Sequence, residues 1–298
     1  MIAVPTLLII ATASFFLMRA APGGPFDAEA DLEPEVLENI RAAYDLDKPL
    51  IEQFRIYVAN ALRGDFGPSL VYKDFSVTEL VAIGLPVSVK LGVTSMFVAL
   101  LFGGLAGIIA ALRQNSLIDH SVMALAMTGI AIPSFVVAPI LALFFGLYLK
   151  LLPVAGWNDG AWQNMVLPVT ALALPQIAII ARLVRGGMLE VLRANFVRTA
   201  RAKGLPATQI FTRHQLRNAI LPVITVLGPS IAAITTGGFV VEMVFAIPGL
   251  GRYFVQAVQQ LDYTVIMGTT VFYGAFLVFM VIVVDLLYGW IDPRVRLE

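Results

Sequence analysis

The chain has 298 residues, 59% of them hydrophobic and 13% charged, with a mean hydropathy of +0.86. That balance excludes an ordinary soluble domain of this length and points to a bilayer as the solvent. Lys plus Arg and Asp plus Glu each total 20, so net charge argues for no nucleic-acid partner and the information lies in where the charges sit. Without Cys there is no disulfide, thiolate nucleophile or Cys-based metal site.

A helix needs about 20 apolar residues to cross a hydrocarbon core roughly 30 Å thick, with its backbone bonded internally. In chain order, charge-free stretches run over residues 2–18, 91–112, 121–149, 161–181, 218–241 and 263–284. They predict an all-α integral membrane protein with six transmembrane helices and both termini on one side. The first stretch has no basic region ahead of it and a polytopic chain behind it, so it reads as an uncleaved span whose natural start lies a few residues upstream. The third is too short for two crossings, and Pro133 and Pro139 are expected to kink one tilted helix.

Between the first two spans, residues 20–85 carry Asp27, Glu29, Asp31, Glu33, Glu35, Glu38, Asp45 and Asp47, and a long acidic loop is expected on the outer side. Pro34 opens a helical pattern through Tyr44 and Pro49 a second through Leu62, each with Pro in the first turn. A small helical cap is the reading, a plain connector the alternative. Further on, Arg182, Arg185, Arg193, Arg198, Arg201, Lys203, Arg213 and Arg217 stand against the single acid Glu190, the mark of a cytoplasmic segment. Arg294 and Arg296 put the tail on that same side. The expected organisation is a first span over 1–19, an extracytoplasmic loop over 20–85, and a core of five further spans over 86–298 with a basic loop at about 188–217.

Within that loop, Leu189, Leu192, Phe196 and Ala200 share one helical face while Arg193, Arg198, Arg201 and Lys203 occupy the others. Gly204 ends this surface helix and Pro206 opens another. Ala200, Ala202 and Gly204 keep the corner small, open to close approach by another protein. A topogenic segment lying on anionic headgroups is the plainer alternative; the Ala-x-Ala-x-Gly corner, which lipid contact does not require, favours docking.

Lys90, Glu242 and Asp285 lie at the edges of apolar stretches, where an ionised group needs water or a partner. Lys90 can snorkel outward, Glu242 precedes the Pro248-Gly-Leu-Gly251 turn, and Asp285 has Arg294 or a loop arginine as its natural partner. Structural anchoring is preferred to substrate contact for all three. Gly103 and Gly107 make a G-x-x-x-G. The sequence has no G-x-x-x-x-G-K-[ST] to grip nucleotide phosphates, no H-E-x-x-H around His120 or His214, and no assembled nucleophile and base, so neither catalysis nor a cofactor is expected of the chain itself.

The stretch Arg198-Thr-Ala-Arg-Ala-Lys-Gly204, followed by Arg213-His-Gln-Leu-Arg-Asn218 and Leu221-Pro222, resembles the EAA loop of bacterial ABC importer permeases in their oligopeptide and dipeptide branch. The general signature has Glu where this chain has Arg198 and Pro where it has Arg217; the oligopeptide B-type branch shows both departures. The likeness extends along the whole chain, through residues 2–26, 63–69, 72–76, 131–135, 242–252, Asp262-Tyr263 and 285–294, and the first loop favours that branch over dipeptide, nickel and glutathione relatives.

The resemblance implies a type I ABC importer permease fold in a bacterial inner membrane. It also implies a pore shared with a homologous C-type permease subunit, two cytosolic ABC ATPases that hold ATP and Mg, an extracytoplasmic peptide-binding protein, and import of oligopeptides. It assigns ATPase coupling to Phe196, Arg198, Thr199, Ala200, Ala202, Lys203, Gly204 and Leu205, and makes Glu242, Pro248, Gly249 and Asp262 the candidates for a gate or subunit contact. The rivals are an ion-driven secondary transporter, expected to show inverted repeats, and an intramembrane enzyme, expected to pair polar residues at matching depth; neither pattern is seen.

Overall fold

A computed structural model of the chain describes residues 3–20, 46–72 and 74–291, and apart from one isolated bridge between Pro68 and Ser76 the elements among them are helical. In chain order they are α1 (Ala3–Ala20), α2 (Leu50–Ala61), α3 (Val77–Leu112), α4 (Leu117–Ala131) and α5 (Ser134–Leu141), which continues as π-helical Ala142–Tyr148. Next come α6 (Trp162–Leu192), α7 (Asn195–Ala202) and α8, a helical stretch over 207–219 whose centre, Ile210–Leu216, is π-helical. The last are α9 (Leu221–Gly237), α10 (Phe239–Val244), α11 (Leu250–Gln259) and α12 (Tyr263–Ile291).

Among the described residues, Ala3–Ala20, Val77–Leu112, Trp162–Leu192, Leu221–Val244 and Tyr263–Leu286 are each long and apolar enough to cross a membrane. The sixth expected span is not one kinked helix. It is the pair Leu117–Ala131 and Ser134–Tyr148, bent by 99°. Ile132 is pushed into the extended region (φ −93°, ψ 116°), as the residue before a proline tends to be, and Pro133 (φ −62°, ψ 146°) then caps α5. Pro139, the other expected kink, sits inside α5 without ending it.

The helix expected after Pro49 forms as α2; the one expected from Pro34 to Tyr44 lies outside the described residues, as do Arg294 and Arg296. α3 begins well before the charge-free stretch, at a reciprocal cap. The Ser76 N–H and Oγ both donate to Glu79 Oε2 at 2.8 Å, and the Glu79 N–H donates back to Ser76 Oγ at 3.2 Å.

The chain divides into two compact units, Met1–Val87 with Pro248–Val278, and Ser88–Ile247 with Phe279–Glu298. In the first, Val77, Leu80, Val81, Leu250, Ala257 and Val265 form a buried cluster, and α1 lies on α2 through Phe15 and Phe54, whose ring centroids are 5.3 Å apart. Arg19 donates to Gln53 Oε1 at 2.9 and 3.1 Å. Gly84 is bare where α3 meets α11: a Cβ there would come within 2.8 Å of the Leu250 backbone.

The second unit is assembled on α6, against which α4, α5, the end of α8, α9 and α10 pack. The G-x-x-x-G of α3 seats there too. A Cβ at Gly103 would stand 2.7 Å from the Ile177 carbonyl oxygen, and one at Gly107 2.5 Å from that of Ala181. Two bare positions one turn apart thus meet two carbonyls one turn apart, the close approach that small residues permit between membrane helices. At Gly104, between them, a Cβ would meet nothing within 4 Å.

Gly107→Ala is expected to destabilise the chain by about 1–3 kcal/mol through overpacking, while Gly104→Ala is neutral or stabilising because it only improves helix propensity. Thermal unfolding of the two detergent-solubilised variants should separate them by several degrees; equal midpoints would count against the seating.

Candidate coupling surface and polar anchors

The basic segment is not one loop. Its first part, from Arg182 to Leu192, completes α6, and α7 starts afresh after Ala194. The expected face therefore changes. Leu189 and Leu192 belong to the preceding helix, and α7 turns Val197 and Ala200 inward, both buried, while Phe196 is 44% exposed. Arg198, Thr199, Ala202, Lys203 and Gly204 are exposed with it, and Leu205 is half-buried. Ala200, expected at the small outer corner, instead packs within the chain.

The end of α7 is built as its sequence implies. The Gly204 N–H donates to Arg201 O at 3.0 Å and the Leu205 N–H to Ala200 O at 3.3 Å, a paired cap that requires a left-handed residue, and Gly204 supplies φ +73°. Pro206 then caps α8. α7 packs on the π-helical part of α8, and α8 ends where a Cβ on Gly187 of α6 would come within 2.6 Å of Ala219 O. The exposed helix is thus fastened to the central helix by two short steps.

A second fastening escaped the sequence reading. Asp119, in the first turn of α4, is fully buried and takes a bidentate contact from Arg185 of α6, Nε to Oδ1 at 2.5 Å and Nη2 to Oδ2 at 2.7 Å. The Asn115 N–H also donates to Oδ2 at 2.9 Å, and Ser116 Oγ caps the helix by accepting from the Asp119 N–H. Arg193, just past α6, reaches Gln114 Oε1 at 3.2 Å. Paired planar groups of this kind fix orientation as well as contributing energy.

The remaining candidates are enclosed and bonded. Glu242 on α10 is buried and accepts from Ser88 Oγ at 2.6 Å. Asp262 is buried and heads α12: its Oδ1 accepts from the Val265 N–H at 3.1 Å and Thr264 Oγ1 at 2.8 Å. Its Oδ2 accepts from Ser69 Oγ at 2.5 Å and from the N–H groups of Leu70 and Val71 at 3.1 and 3.2 Å. Beside this anchor Tyr72 donates to Gln256 Oε1 at 2.7 Å; burial first, and then Tyr253, raise its phenol above the ordinary value and keep it a donor. Gly249, buried, and Pro248, half-buried, lead into α11. Lys90 donates to the carbonyls of Asp159 and Gly160 and lies 5.5 Å from the centre of the Trp157 ring. Among the described residues no cluster of side chains is suited to hold a metal.

The described residues thus make an apolar helical assembly with one exposed basic helix, α7, held to its central helix. A solved structure of the inward-facing MetNI methionine ABC transporter shares the fold, with a TM-score of 0.56 at 18% identity, over 73% of this chain and 97% of that one. Residues 103–297 match the family described as binding-protein-dependent transport system inner membrane component; the chain belongs to that family and is a permease of an ABC importer. It is 50% identical over 294 residues to the oligopeptide transport system permease protein OppB of Escherichia coli K12, covering 99% of this chain and 96% of the relative. To the dipeptide transport system permease protein DppB of Bacillus subtilis it is 48% identical over 293 residues, covering 98% and 94%.

Asp262→Ala removes a helix cap, typically about 0.5–2 kcal/mol, and strands the donors of residues 69–71. Faster hydrogen exchange at 69–72 than at the well-bonded turns of α6 is the expected result, and unchanged exchange there would mean that Asp262 does not anchor this segment.

Proposed function

We propose that the chain forms half of the pore of an oligopeptide importer in a bacterial inner membrane and converts the motion of cytosolic ATPases into motion of its central helix. The observation that carries this is the build of α7. Phe196, Arg198, Thr199, Ala202, Lys203 and Gly204 face outward, while Val197 and Ala200 bind the helix to α8, and α8 rests by Ala219 on Gly187 of α6. A push on the exposed face is passed to α6, and from Arg185 through Asp119 to α4.

In this reading both termini and α7 are cytoplasmic, residues 20–85 are extracytoplasmic, and residues 86–298 make the pore with a homologous C-type permease. Two ATPases, which hold ATP and Mg, dock on α7, and an extracytoplasmic peptide-binding protein delivers the cargo. Pro248, Gly249 and Asp262 hold the outer gate in position, and Glu242 steadies the neighbouring helix through Ser88; none of them is a first contact for peptide. The 50% identity to an oligopeptide permease supports the substrate class. A dipeptide substrate is the second reading, favoured by the 48% identity to a dipeptide permease.

Purification in mild detergent should recover a second permease and two ATPases with this chain, and vesicles holding the complex should import peptides at the expense of ATP. Recovery of the chain alone, with solute movement that needs no ATP, would defeat the reading. Phe196→Ala and Lys203→Glu are each expected to cut peptide-stimulated ATP hydrolysis by about tenfold, roughly 1.4 kcal/mol of coupling, with membrane insertion intact. Ala200→Trp is no equivalent test, since Ala200 is buried within the chain.

A further inference from the structure

The segment that joins α5 to α6 in the second unit ends in a left-handed turn. Asn158, Asp159 and Gly160 have φ of +44°, +53° and +74° in succession, although residues other than glycine enter that region at a cost and ordinarily singly. The turn closes by the Gly160 N–H donating to Trp157 O at 2.9 Å and the Ala161 N–H to Asn158 O at 3.0 Å. Backbone held in this way persists only where its surroundings impose it.

What imposes it comes from another helix. Lys90 of α3 donates to the carbonyls of Asp159 and Gly160 at 3.3 and 3.2 Å, and its ammonium lies over the Trp157 ring. Two carbonyls and an aromatic face of one short turn thus meet one cation. Gly160 is required by its φ and also by space: a Cβ there would stand 2.3 Å from Lys90 Nζ and 2.9 Å from the Trp157 ring. A lysine at the edge of an apolar stretch ordinarily extends into water; Lys90 is turned back onto the chain. The rest of the segment is fastened separately. The Gly156 N–H donates to Phe245 O at 2.8 Å, just past α10, and Asn164 Nδ2 of α6 donates to Gly156 O at 3.0 Å. These two bonds hold the segment to α6 and α10 without Lys90, whereas the lysine ties the left-handed turn to α3.

We propose that this turn is a latch: Lys90 holds residues 157–160 in a strained left-handed form that ties α3 to the start of α6, and the turn relaxes when this part of α3 moves away. The proposed function puts the far end of α6 on the cytoplasmic side, so its start lies on the outer side. On that reading the latch favours the outward-closed form of the importer. A contact made in one form and lost in the other shifts the balance between them by its own free energy and no more. An exposed ammonium on neutral carbonyls, which water can replace, therefore suits a device that opens in every transport cycle.

Hydrogen exchange of the full chain in detergent tests the latch. Lys90→Met is expected to speed exchange at residues 160 and 161 about tenfold by making local opening easier. Exchange at Gly156 is expected to stay as it was, which separates release of the turn from unfolding of the segment. Gly160→Ala, which expels the ammonium, should also speed exchange at residue 161, and adding Lys90→Met to it should change nothing further, because both act on one contact. In vesicles holding the assembled importer, Lys90→Met is expected to raise ATP hydrolysis without peptide by about threefold, as the outward-open form becomes easier to reach. Unchanged exchange at 160 and 161, an equal rise at Gly156, or additive effects of the two substitutions would each overturn the proposal. Faster exchange with unchanged hydrolysis would confine Lys90 to local structure and overturn it as well. The exchange readout needs no ATPase, so a failed latch leaves co-purification with ATPases unaffected, and failed co-purification leaves the exchange measurement standing.

Discussion

Helices inside a hydrocarbon layer gain little by burying apolar side chains on one another, since lipid tails already solvate such surfaces; what holds them is close packing and the few polar contacts they share. In the second unit of this chain that constraint falls on α6. Gly103 and Gly107 let α3 lie against its carbonyls, a Cβ at Gly129 of α4 would stand 3.2 Å from the Leu174 oxygen in the same sense, and Gly187 offers α6's own bare surface to Ala219. The buried ion pair of Arg185 with Asp119 is placed where two of these helices leave the apolar region. A central helix held this closely on several sides has the stiffness that the proposed coupling requires of it.

The first unit solves a different problem. Its short segments between spans have too little apolar surface to order themselves, and they are tied down by side-chain oxygens instead. Asp262 alone collects donors from its own helix and from residues 69–71, and the Ser76 and Glu79 pair starts α3. These bonds decide where α3 and α12 begin.

Much of this was legible beforehand, and the physics says which part. Runs of some 20 uncharged residues have few other uses, so residues 2–18, 161–181 and 263–284 stood out, and Gly204 followed by Pro206 announced the end of one helix and the start of another. The capping pattern Ser76-Val-Thr-Glu79 was available as a local signal for the early start of α3 and went unread. Asp119 with Arg185, and Ser69 with Asp262, were not available: the partners lie 66 and 193 residues apart, and no periodicity links them. The inward face of α7 was misjudged because helical spacing was carried through Arg193 and Ala194, where the chain breaks; restarting the count at Asn195 puts Val197, not Phe196, inside.

The corner at Ile132 and Pro133 bears on what surrounds this chain. Proline has no N–H to give the Gly129 carbonyl, and residues 130–133 are exposed. Bare peptide oxygens are not tolerated against acyl tails; such backbone survives at that depth only beside water or under another polypeptide. A break in a span therefore carries a demand for water or for a neighbouring polypeptide at its corner that an unbroken helix does not.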